Sequence, residues 1–209
     1  MSKIILDLQG GTGAWSKDYK ESGYIVINVT LPDYDILRTE IRSQYRDMIL
    51  KGEKGLIVDT DNIYGILASP VCTMFSLART RAKTPRDFRE GMKLVIACLN
   101  IIWECRYDHK LAFWCLENPT GYLRQFLGKP VFTFDPCDFG DPYTKKTDLW
   151  GYFNIPKKDK VKPEYVDFKS GKRMSKFHFD TSYETKDKRK IFRSVTPAGF
   201  AKAFFEANR

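Results

Sequence analysis

The chain has 209 residues, 43% hydrophobic and 14% aromatic, with a formal net charge of +9; this predicts one globular domain, long enough for a substantial core and short for two. No apolar run approaches the ~20 residues that cross a bilayer, and no secretory signal precedes the first strand, so no membrane partner is expected. Five cysteines (Cys72, Cys98, Cys105, Cys115, Cys137) without a Cys-x-x-Cys pair, and only His109 and His178 beside them, argue against a metal site and fit reduced thiols in a cytoplasmic protein.

Ile4-Ile5-Leu6-Asp7-Leu8 reads as a strand, followed by Gly10, Gly11 and Gly13 and then a helix through Trp15, Tyr19 and Lys20. A strand, a glycine turn and a helix bring backbone N–H groups close to a ligand, because glycine removes the steric obstacle. The spacing differs from the Gly-x-Gly-x-x-Gly of dinucleotide folds. Asp7, at the strand end, is suited to accept hydrogen bonds from an ammonium or hydroxyl group. A second strand, 24–29, ends before Pro32, and the polar residues near its tip are Asn28, Thr30, Asp33 and Asp35. Acids at that tip often hold ribose hydroxyls.

Ile41, Tyr45, Met48 and Ile49 share one helical face ahead of Gly52 and Gly55, which predicts a helix. Leu56-Ile57-Val58 is an extra strand before the turn 59–62, and 62–67 is a buried strand stopped by Pro70. Cys72 then falls on the rim of the sheet, where open α/β folds bind ligands. Arg79, Arg81 and Lys83 follow as a basic cluster. Thr84 reads as the cap of a long helix with Pro85 at its first position. That helix ends near Tyr107 and buries Met92, Val95, Ile96, Leu99, Ile102 and Trp103.

The strand 111–116 delivers Glu117 and Asn118 to the rim that carries Cys72. A short helix over 121–127, strands at 131–134 and 149–153, and a final helix from Pro197 with Phe200, Ala203, Phe204 and Ala207 inward complete an α/β sheet sandwich. Charge is concentrated late: 157–193 holds 13 Lys or Arg against 6 Asp or Glu, interleaved with Tyr165, Phe168, Phe177, Phe179, Tyr183 and Phe192. Basic residues neutralise phosphates and rings stack on bases, so nucleic acid is the expected partner.

Four stretches in order resemble the cytosine-5 DNA methyltransferases, more closely their small phage-like members. Pro70-Val71-Cys72-Thr73-Met74-Phe75-Ser76 follows the family's Pro-Pro-Cys-x-x-Phe-Ser except at Val71. Glu117-Asn118-Pro119 matches Glu-Asn-Val, and Asp7-Leu8-Gln9-Gly10-Gly11-Thr12-Gly13 matches Asp-Leu-Phe-x-Gly-x-Gly except at Gln9. Tyr143-x-Lys145-x-Thr147 stands where Gln-x-Arg-x-Arg is usual. Ser194-Val195-Thr196-Pro197 resembles the last motif, which returns to the cofactor pocket.

The resemblance implies a Rossmann-like methyltransferase sheet with helices on both faces, a single domain over 1–209, and 157–193 as a basic insertion or reduced target-recognition region. It implies methyl transfer from S-adenosylmethionine to carbon 5 of a flipped cytosine in DNA by a monomer. Cys72 is then the nucleophile at carbon 6, Glu117 holds N3 and the exocyclic amine, and Lys145 meets the ring carbonyl. Asp7, Gly10, Gly11, Gly13, Trp15, Asp35, Pro70 and Thr196 fall to the cofactor. Two alternatives stand beside it: a catalytically impaired DNA-binding relative, and an amino-methyltransferase acting on adenine or cytosine.

Overall fold

The apolar runs 4–8 and 63–68 have no polar alternation, the pattern of strands covered on both faces. In the computed structural model, which describes residues 3–80, 82–107, 111–168, 171, 173–175, 191 and 193–209, they become adjacent central strands. β1 (Ile4–Leu8) pairs in parallel with β2 (Ile25–Val29) on one side and with β6 (Ile63–Ala68) on the other. β7 (Phe113–Pro119) continues the parallel run beyond β6. β9 (Thr147–Tyr152) is antiparallel to β7 and carries β8 (Phe132–Phe134) on its outer edge. The six-stranded order is therefore β2-β1-β6-β7-β9-β8, and the fold is mixed α/β. Gly65 lets the ring of Phe113 lie across β6, since a Cβ there would stand 2.3 Å from ring carbons.

Side-chain alternation along these strands divides the interior in two. Leu6, Leu8, Ile66, Ala68 and Leu116 pack towards α2 (Phe88–Tyr107). Ile5, Leu67, Phe113 and Cys115 pack on the opposite face, against Trp15, Tyr19 of α1 (Lys17–Glu21) and Phe200, Phe204 and Phe205 of the last helix, Ala198–Ala207. Helices thus cover both faces. In the last helix Phe200 and Phe204 are buried as their spacing predicts, but Ala201 and Phe205 are buried with them, while Ala203 and Ala207 are half-buried.

Three expectations change. The 41–49 segment is not a helix: β3 (Glu40–Arg42), β4 (Asp47–Lys51) and β5 (Gly55–Asp59) form an antiparallel three-stranded sheet. Met48 and Leu50 are buried while Asp47, Ile49 and Lys51 are half-buried, a period of two that the helical spacing of Ile41, Tyr45, Met48 and Ile49 masked. The long helix begins at Phe88, not at Pro85, because Asp87 accepts from the Glu90 N–H at 2.9 Å and does the capping assigned to Thr84. Its buried face is Val95, Cys98, Ile101, Ile102 and Cys105, whereas Ile96 and Trp103 are 47% and 60% exposed.

A short α3 (Arg124–Leu127) follows β7. In the basic segment, β10 (Tyr165–Asp167) pairs with β11 (Arg173–Ser175) as a small antiparallel ladder. Arg81, His109, Phe177, His178, Phe179, Tyr183, Lys188, Arg189, Lys190 and Phe192 lie outside the described residues. Among the described residues no helix is long and apolar enough to cross a membrane, and no three metal-ligating side chains cluster.

Candidate active site

The chain order reverses between β1 and β6: one leads out to β2, and the other stands on β1's opposite side. In parallel sheets the crevice at such a switch, outside the strand carboxyl ends, is where ligands bind. Two of the expected segments meet there, and the Ser69 N–H donates to the Leu8 carbonyl at 2.9 Å to join them.

The first segment is the glycine turn. Gln9, Gly11 and Gly13 have φ of 60°, 53° and 72°, so the chain curls through left-handed backbone at three positions. Gly10 is required for another reason: a Cβ there would stand 2.2 Å from the Asp7 carboxylate. Asp7 is fully buried beneath the turn and accepts from the Ser16 hydroxyl at 2.6 Å. Burial pushes its carboxyl up to about 6, and the Ser16 hydrogen bond opposes that rise. Asn28, opposite Asp7 on β2, donates to the Gly11 carbonyl at 3.0 Å. Asp7 Oδ1, Asn28 Oδ1 and Trp15 Nε1 are buried with no hydrogen-bond partner among the described residues. These polar atoms beside a glycine cradle suit a ligand with hydrogen-bonding edges and positive charge.

Other proposed cofactor contacts have protein roles. Trp15 is 1% exposed and lies 5.8 and 5.3 Å from the rings of Phe200 and Phe204, so its ring is core. Asp35 accepts from the Leu37 N–H at 3.0 Å, capping a 3₁₀ turn, while its own N–H donates to the Lys51 carbonyl. Asp33 pairs with Lys54 at 2.7 Å. Thr196 is half-buried two residues before the last helix. Pro70 is buried, and its carbonyl accepts from Asn118 Nδ2 at 2.9 Å.

The second segment is the loop after β6. The N–H groups of Phe75 and Ser76 both donate to the Cys72 carbonyl at 2.9 Å, which folds the loop into one tight turn. Buried Phe75 anchors it among Phe88 and Phe126. Cys72 itself is half-buried. Glu117 enters from the neighbouring end of β7. Lys145 enters from the loop before β9, whose first residue, Thr147, pairs with Pro119.

The three side chains interact pairwise. Burial pushes the Cys72 thiol up, the Glu117 carboxylate pushes it further, and Lys145 pulls it back. Burial also raises the Glu117 carboxyl, opposed by Lys145 and by a hydrogen bond with Ser69. A thiol and a carboxyl, each shifted by burial towards its protonated form, and a cation therefore share one rim.

The chain matches no protein-family model and no curated protein. The site's support is its own.

Behind Glu117 lies a polar knot that sequence reading missed. Asp148, fully buried on β9, accepts from Arg124 Nε and NH2 at 2.6 Å each and from the hydroxyls of Thr120 and Thr133 at 2.8 Å. It ties α3 and β8 to β9 beside the end of β7. Ser69, Asn28 and Asn118 also belong to the site. Asn118 was legible through its place after Glu117. On the other flank, the Thr144 N–H donates to the Ser175 hydroxyl at 3.2 Å, which fastens the β10–β11 ladder to the loop bearing Lys145. There the Arg173 guanidinium stacks 4.4 Å from the centroid of Tyr165.

Proposed function

We propose that this chain is an S-adenosylmethionine-dependent methyltransferase acting on carbon 5 of cytosine in DNA, built on a Rossmann-like sheet and working as a cytoplasmic monomer. The observation that carries the reading is the meeting of Cys72, Glu117 and Lys145. They come from two separate loops and the end of β7 onto one rim beside the glycine cradle.

The residues supply complementary chemistry. Cytosine carbon 5 becomes nucleophilic only after addition at carbon 6. Cys72 Sγ, only half-buried, gives its proton to solvent water and forms the bond to carbon 6, moving the C5–C6 electron pair to carbon 5. Glu117, whose carboxyl burial shifts towards its protonated form, donates to N3 and takes up the charge that develops on the ring. Lys145 faces the ring carbonyl and moderates the charge of both partners. When bound, S-adenosylmethionine supplies an electrophilic methyl group to carbon 5. Transfer of the carbon 5 proton to solvent water then re-forms the double bond and expels the Cys72 thiolate. Asp7, Asn28 and Gly10 to Gly13 fit the cofactor, because their open polar atoms and left-handed backbone leave room and acceptors for its amino-acid end.

Two observations favour the impaired relative. Burial and Glu117 disfavour the Cys72 thiolate, and Val71, in place of a proline, is 49% exposed on the loop. Proline would fix φ there, whereas valine only favours extended backbone. Covalent trapping decides between the two. Cytosine-rich DNA carrying 5-fluorocytosine, incubated with S-adenosylmethionine, should form an adduct that Cys72→Ser abolishes and Val71→Pro accelerates. Failure of both wild type and Val71→Pro on varied substrates rejects the enzyme.

A further inference from the structure

Resting on the reading of Cys72 as nucleophile, we propose that Arg86 is a positioning residue that locks the Cys72 loop against the segment following Glu117. Arg86 lies two residues before α2, away from every segment that supplies the reacting groups. Its NH1 donates to the Met74 carbonyl and its NH2 to the Ser76 carbonyl, each at 2.8 Å. The carbonyl between them, that of Phe75, accepts from the Tyr122 N–H at 2.9 Å. Three consecutive carbonyls just past Cys72 are thus all held.

The same guanidinium stacks 4.8 Å from the centroid of Tyr122, so one planar cation touches both segments. Their backbones are in close contact: Ser76 and Gly121 form a β-bridge, and a Cβ on Gly121 would stand 2.3 Å from the Phe75 oxygen. Tyr122 lies five residues beyond Glu117, which is tied to β9 through the β7 ladder. Arg86 therefore fixes the offset between the loop of the nucleophile and the strand of the carboxyl group. Lysine cannot replace it, because two carbonyls and a ring face require a flat fork with several donors. Displacing a nucleophile by about 1 Å can cost on the order of 10²-fold in rate.

The test compares full-length wild type with Arg86→Lys and Arg86→Gln. Alkylation by iodoacetamide is followed at each cysteine by peptide mass spectrometry across pH, alongside trapping on 5-fluorocytosine DNA. In both variants the freed loop should expose Cys72. Its alkylation should speed several-fold with a midpoint falling towards that of an ordinary thiol, while buried Cys98, Cys105 and Cys115 stay unreactive. Trapping at saturating DNA should fall about tenfold or more, with the half-saturating DNA concentration unchanged. A wild-type alkylation profile at Cys72 overturns the proposal. So does joint exposure of all the buried cysteines, which would make Arg86 a matter of global stability. A trapping loss that excess DNA restores makes it a phosphate contact and equally overturns it. Where wild type traps no DNA, the methyltransferase reading falls, and the Cys72 alkylation profile alone judges Arg86.

Discussion

Replacing Asp7 by asparagine should stabilise the fold at neutral pH and leave its stability nearly unchanged near pH 4. Asp7 is fully buried, and burial raises its carboxyl from 3.8 to about 6 despite the Ser16 hydrogen bond. Between those values the folded protein keeps a proton that the unfolded chain has released. Wild-type stability must therefore fall as pH rises through that window and level off above it. At ~1.4 kcal/mol for each tenfold change in proton affinity, the ionised Asp7 costs about 3 kcal/mol at pH 7. Asparagine matches the shape, can still accept from Ser16 and carries no charge to desolvate. With a urea dependence of ~2 kcal/mol/M, the unfolding midpoint should rise by ~1.5 M at pH 7. Urea titrations of both proteins from pH 4 to 8 give a difference curve in which other carboxyl groups cancel. The same change should weaken S-adenosylmethionine binding, measured by calorimetry, since the buried charge facing the cradle is gone. A difference curve flat with pH, or an asparagine variant less stable at pH 7, refutes the desolvation argument.

Glu117→Gln should lower the pH midpoint of Cys72 alkylation, because it removes the neighbouring carboxylate that helps raise the thiol; an unmoved midpoint would separate the two groups electrostatically. Arg124→Met should destabilise the fold by about 2–3 kcal/mol in urea unfolding at pH 7, since it strips a buried carboxylate of two charge-assisted hydrogen bonds. Burial raises the Asp148 carboxyl, but Arg124, Thr133 and Thr120 outweigh it and hold it below its ordinary value. The wild-type advantage is therefore present above pH ~4 and fades only in stronger acid. Changing Lys188, Arg189 and Lys190 together to glutamine should flatten the fall of log DNA affinity with log salt; an unchanged slope would leave that run a solvated face.

The sheet was legible because its central strands are almost wholly apolar, with Asp7 the one charged residue in them. Ile4–Leu8 and Ile63–Ala68 needed no partner to declare themselves. The 41–49 segment was misread for a physical reason, whereas the strand read at 56–58 is present as part of β5. Tyr45 is 64% exposed in a 3₁₀ turn, yet its spacing from Ile41 and Ile49 imitates a helical face. Only pairing with β5 reveals that Met48 and Leu50 point one way together. The start of α2 was misplaced because Thr84-Pro85 and Asp87 are competing start signals, and hydrogen bonding to the Glu90 N–H settles the choice. The inward face of that helix was offset because apolar identity does not say which apolar residues meet the sheet.

The site divides along the same line, between residue type and environment. Cys72, Glu117 and the glycine turn were visible as types in order, since each follows a strand that had to end on the same rim. What each side chain meets depended on alternation across the sheet. Asp7 shares the parity of Ile5 and so lies on the side of α1 and the last helix, above Ser16. Glu117 shares the parity of Cys115, while Asn118 falls with Leu116 and reaches the Pro70 carbonyl. Adjacent residues on β7 thus serve one loop at points two residues apart: Asn118 holds its backbone at Pro70, and Glu117 acts on the Cys72 thiol. A one-residue slip of β7 against β6 would exchange them and leave a buried carboxylate against the Pro70 carbonyl, with no proton donor between them. The register of Leu67 with Cys115 and Ala68 with Leu116 is therefore as much a part of the site as the thiol.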